Sequence, residues 1–507
     1  MTHREVLEAL SGLLLALFVA MLSSTVVTNA LPRIVADLDG SASGYTWVVV
    51  ATLLTMTAST PIWGKLADLF SKKMLVQTSL GIYVLGSLAA GFAPSMEALI
   101  GARAVQGLGV GGITALVQVV IASMVSPRER GRYAGYIGAV FAMATVSGPL
   151  IGGVIVDTPG LGWRWTFFLA IPIAVVALVV LQRTLHLPVV RRDVRIDYLG
   201  ALLLTGGVSV LLAWVSLAGN QFPWLSWVTA AAVAGGVLML VAAVYVEARV
   251  AEEPVIPLRL FADRTTRLAT LASVMVGLAM FGSTVYLSQY FQIARGMTPT
   301  QAGLMSIAMV GGLLVSSIVS GRRITTHGFW KKYLVVGLVL VVVGLALLGT
   351  IDATTSLVAV GLFMAVLGVG LGMSIQNLIL AVQNNTAQRD MGAASSVVAF
   401  FRSMGGSIGV SVLGAILAHQ ASDSVATGLA RLGVSGGGGS GSIPDMGALP
   451  GPVRAVFEAA YGDATGHLFL VAVPFAVVAL VCVVLIEEVP LRTSIDDVAP
   501  DPEARRA

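Results

Sequence analysis

Cysteine is almost missing from this chain: Cys482 is the single one among 507 residues. An internal disulfide is therefore excluded, and Cys482 falls in the last apolar run, where packing is its expected role. Charge is scarce too. Asp, Glu, Lys and Arg together make up 11% of the residues, against about a quarter in soluble domains, while 56% are hydrophobic and the mean hydropathy is +0.90. These values exclude an ordinary soluble globule and point to a protein that crosses a membrane many times. The five histidines, His3, His186, His327, His419 and His467, are scattered. No metal-ligand cluster, catalytic triad pattern or G-x-x-x-x-G-K-[ST] phosphate loop occurs. Neither an enzyme, nor a metal or cofactor site, nor direct use of ATP is expected. The net charge of +4 is accounted for by membrane topology, which leaves no basis for a nucleic-acid partner.

Long hydrophobic runs are what the chain does have. A helix needs roughly 20 apolar residues to cross a bilayer, and fourteen stretches qualify: 10–31, 46–63, 74–93, 98–125, 134–156, 165–185, 198–217, 226–246, 268–292, 299–320, 333–350, 356–382, 392–418 and 467–486. The first is too long for the apolar region of about 7–15 residues in a signal peptide, so it is expected to be an uncleaved span. Placing the N-terminus inside leaves only Arg33, Arg164, Arg295, Arg431 and Arg454 on the outer side, with the other loop arginines and lysines in the cytoplasm. The positive-inside rule then predicts that both termini are cytoplasmic.

The ten residues Gly64–Lys73, GKLADLFSKK, hold Lys65, Asp68, Lys72 and Lys73 between two apolar runs. This stretch is expected to be a charged turn, with Asp68 three and four residues from lysines on one helical face. A shift of about 257 positions lays Gly321–Lys332, GRRITTHGFWKK, on it, so Gly321 and Arg322 are counterparts of the first motif. Duplication of a six-helix unit follows, with two extra helices between the copies. Paired halves with a substrate site at their interface are a transporter architecture. The expected organisation is 1–195, a six-helix bundle; 196–250, two inserted helices; 251–418 with 466–490, a second six-helix bundle; 419–465, an outer loop; and 491–507, a cytoplasmic tail. The VSGGGGSGS run in that loop reads as flexible linker, and Pro452–Tyr461 reads as a short surface helix.

Four motifs resemble those of the major facilitator superfamily. Gly64–Lys73 is similar to its loop signature G-x-L-a-D-r-x-G-r-r/k, with Ser71 where that pattern prefers glycine. Arg103, Gln106 and Gly107 match the fourth-helix R-x-x-Q-G. SGPLIGG, Ser147–Gly153, resembles the antiporter motif G-P-x-x-G-G of superfamily exporters; Pro149 is expected to bend its helix and Gly148 and Gly152 to form a small-residue face. Gln383–Gly409 resembles the thirteenth-helix region of the fourteen-spanner drug:proton antiporters, with Gly405 and Gly409 one turn apart. The resemblance implies an all-α major facilitator fold of fourteen helices and efflux rather than uptake.

The same resemblance exposes a missing group. Family members carry L-D-x-T-V-V-N-V-A-L-P in the first span, whose Asp is thought to titrate near the fourth-helix arginine. Here the segment is LSSTVVTNALP, Leu22–Pro32, with Ser23 at the Asp position. Helix rise places Ser23 about 20 Å from the inner end of its span and Arg103 about 8 Å from the outer end of its own, a common depth in a core about 30 Å thick. An arginine inside a membrane is a functional-site hypothesis by default. None of the 26 acidic residues falls at the centre of a span. Asp157 and Asp68, with Arg103, are therefore the candidates for proton coupling. The substrate cavity is expected to draw on Ser23, Asn29, Trp47, Gln106, Gln118, Met280, Phe281, Tyr286, Gln289, Tyr290, Gln376 and Asn377, an apolar and aromatic lining with a few polar groups.

Together these features predict a proton-driven secondary exporter of small hydrophobic or amphiphilic compounds, monomeric, in the inner membrane of a bacterium and surrounded by lipid. With no buried acid to pair with a cation, the cargo is expected to be neutral, anionic or zwitterionic. A proton-independent facilitator or lipid-moving protein is the alternative that Ser23 permits, and a non-transporting sensor is a third.

Overall fold

The computed structural model describes residues 3–38, 42–158, 161–185, 197–218, 222–251, 254–433 and 449–492. Sixteen α-helices follow in order: α1 His3–Asp37, α2 Ala42–Leu69, α3 Lys72–Gly91, α4 Met96–Met124, α5 Pro127–Asp157, α6 Trp165–Phe168, α7 Ala170–Thr184, α8 Tyr198–Leu217, α9 Trp227–Arg249, α10 Arg264–Ile293, α11 Pro299–Met305, α12 Ile307–His327, α13 Lys331–Leu348, α14 Leu357–Asn385, α15 Met391–Arg431 and α16 Gly451–Val484. α6 and α7 make one crossing, Trp165–Thr184, and α11 and α12 belong to another, Gln301–His327. Thirteen stretches of the described residues are long and apolar enough to cross a membrane, and α5, with 31 residues, is the remaining long helix. Among the described residues the β-structure is one isolated bridge, Ala218 to Phe222.

Apolar composition makes these segments helical because a chain in hydrocarbon must satisfy its backbone groups internally. Short polar side chains mark where several of them start. Ser71, Ser95, Asp197, Ser226 and Asp263 each accept an N–H from the first turn of the helix they precede, and Thr298 with Gln301 forms a capping box. Ser71 thus has a local use at the position where the superfamily pattern prefers glycine. Gly328, at φ +79°, ends α12 in the left-handed region that an L side chain rarely adopts.

Packing divides the chain into two cores. One cluster runs from Leu260 to Leu491; two others, Val6–Leu185 and Val27–Phe167, lie wholly in the first 185 residues. α2 against α15 and α5 against α12 carry the meeting of the two parts. α8 leans on both α2 and α15, through Ala58, Val208, Leu212 and Phe400, and α9 packs on α8 with most of its surface exposed, Leu238 and Val241 included. Such exposed aliphatic faces suit a lipid environment.

Two sequence expectations need correction. Gly64–Lys73 is mostly helix rather than turn: α2 runs on to Leu69 and α3 begins at Lys72, because nothing in GKLADL breaks a helix and only Phe70 and Ser71 remain between them. The expected outer loop 419–465 is much shorter. α15 continues to Arg431 and α16 starts at Gly451, so Pro452–Tyr461 is the first part of α16 and not a separate surface helix. Val425, Leu429, Val453, Val456, Phe457 and Ala460 zip the two extensions together, an apolar match that the hydropathy reading overlooked. The glycine-rich run 434–442 lies outside the described residues, as does the tail beyond Arg492.

Candidate functional site

Three polar constellations stand out against the apolar background. The first is buried inside the first half. Arg103 and Gln106 are three residues apart on α4 and so share a face; Arg103 Nη1 donates to Gln106 Oε1 at 2.5 Å and its Nε donates to the Val48 carbonyl at 3.4 Å. Gln106 Nε2 in turn donates to Ser23 Oγ on α1 at 3.0 Å and to Ser87 Oγ on α3 at 2.8 Å. Gln106 is fully buried and Ser23 is 2% exposed. Glycine makes this crossing possible: a Cβ on Gly107 would meet the Thr52 carbonyl of α2 at 2.5 Å, and one on Gly86 would meet the Gln106 backbone at 2.6 Å. Thr52 and Thr55 use that proximity to donate to the Arg103 and Ala104 carbonyls. Ser23 and Arg103 therefore do come together, joined through one carboxamide.

The second is a narrow cleft between the halves, with a cavity volume of about 20 Å³. Gln118 and Ile121 of α4, Arg130 and Ile137 of α5, and Gln376, Asn377, Ile379, Leu380 and Gln383 of α14 line it. Gln118 Nε2 donates across it to Gln376 Oε1 at 3.4 Å. On its α5 side Arg130 donates to Gln383 Oε1 at 2.9 Å and to the carbonyls of Val125 and Ala122. Gln383 also donates to Ser395 of α15 at 2.8 Å.

The third constellation closes the end of the molecule where the basic motifs gather. Asp68, near the end of α2, accepts the N–H groups of Gly392 at 2.7 Å and Ala393 at 2.9 Å. These are orphan amides of the first turn of α15, where a negative charge also meets the positive end of the helix dipole. Gly64 lets the helices touch, since a Cβ there would strike Ser396 Oγ and stand 2.7 Å from the Gly392 carbonyl. Arg128, at the start of α5, does the complementary job on α12, donating to the terminal carbonyls of Thr325 and Thr326 at 2.9 Å each. The segment after α16 lies under the same end. Glu488 accepts the Trp330 and Lys331 amides at the start of α13, and Arg492 donates to the Gln383 and Thr386 carbonyls around the end of α14.

Residues 13–410 match the sequence profile of the Major Facilitator Superfamily. The chain is a member of that superfamily. Its relatives include the multidrug transporter protein MdtP of Bacillus subtilis, 33% identical over 80% of this chain and 74% of the relative. The efflux pump dotC of Dothistroma septosporum is 32% identical over 96% of this chain and 84% of the relative. The proton:xylose symporter XylE, a superfamily protein of known structure, superposes with a TM-score of 0.61 at 12% identity, covering 94% of this chain and 96% of XylE. The protein is thus a multi-pass membrane transporter of this fold.

Of the residues expected to line a cavity, the transporter brings Gln118, Gln376 and Asn377 together in the interface cleft, while Ser23 and Gln106 belong to the buried network around Arg103. Tyr286 and Tyr290 are packed instead into the second half, with hydroxyls donating to the Val410 and Asp352 carbonyls. Met280 packs on that core and Phe281 covers Gly406; Trp47 and Gln289 are half-buried and apart from the cleft lining. Gly148 sits against Thr25 of α1 and Gly152 is buried, and α5 stays helical through Pro149. Lys73 donates to the Gln182 carbonyl, Lys72 opens α3, Gly321 is buried and Arg322 is exposed. The side chains of Asn29, Pro149 and Asp157 lie outside the described residues. Sequence reasoning missed Arg128, Arg130, Gln383 and Arg492. As loop charges the arginines only set topology; Arg128 and Arg130 fall in the first turn of α5, which is a signal for their role, whereas Arg492, eight residues past the end of α16, carries none.

Proposed function

We propose that this transporter exports small hydrophobic or amphiphilic compounds in exchange for protons, by alternating access of the interface cleft to the two sides. The basic end, with both termini, faces the cytoplasm, as the positive-inside rule requires, and the membrane is the bacterial inner membrane. The two six-helix halves, with α8 and α9 inserted between them, move as units in a monomer, and no cofactor is needed. One observation carries this reading. The contacts closing the basic end are hydrogen bonds from one half to helix termini of the other, Asp68 to α15 and Arg128 to α12. They can break and reform while the apolar core of each half stays intact. The names of the relatives, a multidrug transporter and an efflux pump, support outward transport of such compounds, as does the exporter-like Ser147–Gly153 motif.

Arg103, Asp68 and Asp157 are the candidate coupling groups, and Asp68 is placed where protonation would loosen the closed end. Reconstitution in proteoliposomes tests the whole: an imposed pH gradient should drive a lipophilic dye against its own gradient, and a protonophore should abolish that accumulation. A second reading, a proton-independent facilitator, is favoured by the neutral Ser23 hydroxyl beside Gln106; it predicts downhill flux indifferent to the gradient.

A further inference from the structure

Arg402 lies about 17 Å into α15, counted from Met391 at 1.5 Å per residue, close to the middle of a hydrocarbon core about 30 Å thick. A cation at that depth needs a partner or a water-filled space. Among the described residues the buried arginines Arg103 and Arg130 have theirs: Arg103 is bonded to Gln106 and the Val48 carbonyl, and Arg130 to three acceptors. Arg402 differs. Its Nη1 is buried with no hydrogen-bond partner, and no carboxylate among the described residues pairs with it. The buried acids are engaged elsewhere, Asp68 with the α15 amides, Glu247 with the Ile256 amide and Asp390 with Arg259.

The backbone of Arg402 is packed on Gly277 of α10, and helix register gives its depth relative to the interface cleft. Ser395 of α15 is bonded to Gln383 of α14. Two turns on from Ser395, on the same face, is Arg402; two turns back along antiparallel α14 from Gln383 is Gln376. Gln376 is the residue that bonds Gln118 across the cleft. Arg402 is therefore level with the mid-membrane end of a cleft whose polar lining is Gln118, Gln376, Asn377, Gln383 and Arg130, carboxamides and a guanidinium without a carboxylate.

We propose that Arg402 is the seat for an anionic group on the transported molecule, so that the cargo is an amphiphile with an apolar body and a carboxylate or similar oxyanion head. The proposal rests on the reading of the interface cleft as the transport path. A direct binding measurement tests it apart from transport. The purified transporter in phosphatidylcholine nanodiscs is titrated with 11-(dansylamino)undecanoic acid and with the matching primary amide. A charge-assisted bond predicts that the acid binds at least about tenfold tighter than the amide. Arg402→Gln should erase that preference with amide affinity unchanged, and Arg402→Lys should retain most of it. In the unmodified protein, decanesulfonate should displace the bound acid where decanol at the same concentration does not. Equal affinity for acid and amide, no binding of either, or a preference that survives Arg402→Gln overturns the assignment. Loss of acid binding in discs containing phosphatidylglycerol would put a resident anionic lipid in the seat and equally overturn a transported anion. Failure of gradient-driven dye transport, by contrast, would refute the antiport reading and leave these affinities unaffected.

Discussion

Replacing Asp68 with asparagine removes one charge and little else in volume, and its effect can be worked from the contacts. In the closed end each carboxylate oxygen takes a backbone N–H of α15, at 2.7 and 2.9 Å. Asparagine keeps one oxygen for Gly392 but turns an NH₂ group toward the Ala393 N–H, so one donor loses its acceptor and faces another donor. A hydrogen bond to a charged group contributes about 1.5–3 kcal/mol, and an anion at a helix N-terminus about 0.3–1 kcal/mol, more when partly buried. The closed form should therefore lose about 2–3 kcal/mol relative to the open one, a shift of about 30- to 150-fold in the equilibrium. The two halves stay folded, because neither oxygen contributes to the core of either.

Spin labels report the shift directly. Arg183 at the end of α7 and Arg323 in α12 are both exposed at the basic end, one on each half, and Cys482, the only native cysteine, can be replaced by serine. Arg183→Cys and Arg323→Cys in that background give one interspin distance. Asp68→Asn should move the distribution from a short, dominant population toward a longer one, and Asp68→Glu should fall between. Identical distributions with aspartate and asparagine would show that the contact does not hold the end shut, and the latch argument would fail.

Other outcomes follow from the same geometry. Gly64→Ala places a methyl against Ser396 and 2.7 Å from the Gly392 carbonyl; overpacking of this kind costs about 1–3 kcal/mol, here charged to the closed state alone, so the spin-label distance should lengthen with thermal stability unchanged. Gly107→Ala makes a similar clash, with the Thr52 carbonyl at 2.5 Å, but inside one half, so it should lower the melting temperature and leave the distance alone. Gln106→Leu strips acceptor or donor from Arg103, Ser23 and Ser87 at once and should destabilise the protein by about 3 kcal/mol or more, read as a fall in melting temperature in detergent. Ser23→Asp puts a carboxylate one carboxamide away from Arg103; uptake of dye into proteoliposomes should then depend more steeply on the imposed pH gradient, and an unchanged dependence would exclude that position from coupling.

The helices were legible because a 20-residue apolar run leaves the backbone one solution in lipid; Arg103 and Gln106 were legible because they sit three residues apart on one helix, and Ser23 because of its depth and its place in the first-span motif, whereas Ser87, on a third helix, carried no signal. What escaped the sequence were contacts made at helix ends. GKLADL looked like a turn since its charges suggested loop, yet nothing in it stops a helix, and Asp68 bonds 324 positions away to amides whose availability depends on where α15 begins. Arg128 and Arg492 escaped for the same reason: their acceptors are backbone carbonyls, which no residue type announces. The extension of α15 was hidden because Val425 and Leu429 are isolated among polar residues and form a buried cluster only against Val456 and Ala460.

The latch also explains why charge is so unevenly distributed in a chain this apolar. Helix ends present amides at one terminus and carbonyls at the other, so a closed gate between two bundles needs an anion for the first kind and a cation for the second. The first half supplies both, Asp68 for the N-terminus of α15 and Arg128 for the C-terminus of α12. Opening the gate exposes all four partners to water together, which replaces each bond and keeps the difference between states to a few kcal/mol. A gate sealed by leucines would lack that reversibility, since separating it would expose apolar area with nothing in water to compensate. Arg103, sealed inside one half, lies beyond the reach of such solvent exchange and is satisfied by Gln106; Arg402, level with the cleft, stands ready for a group that the protein itself does not provide.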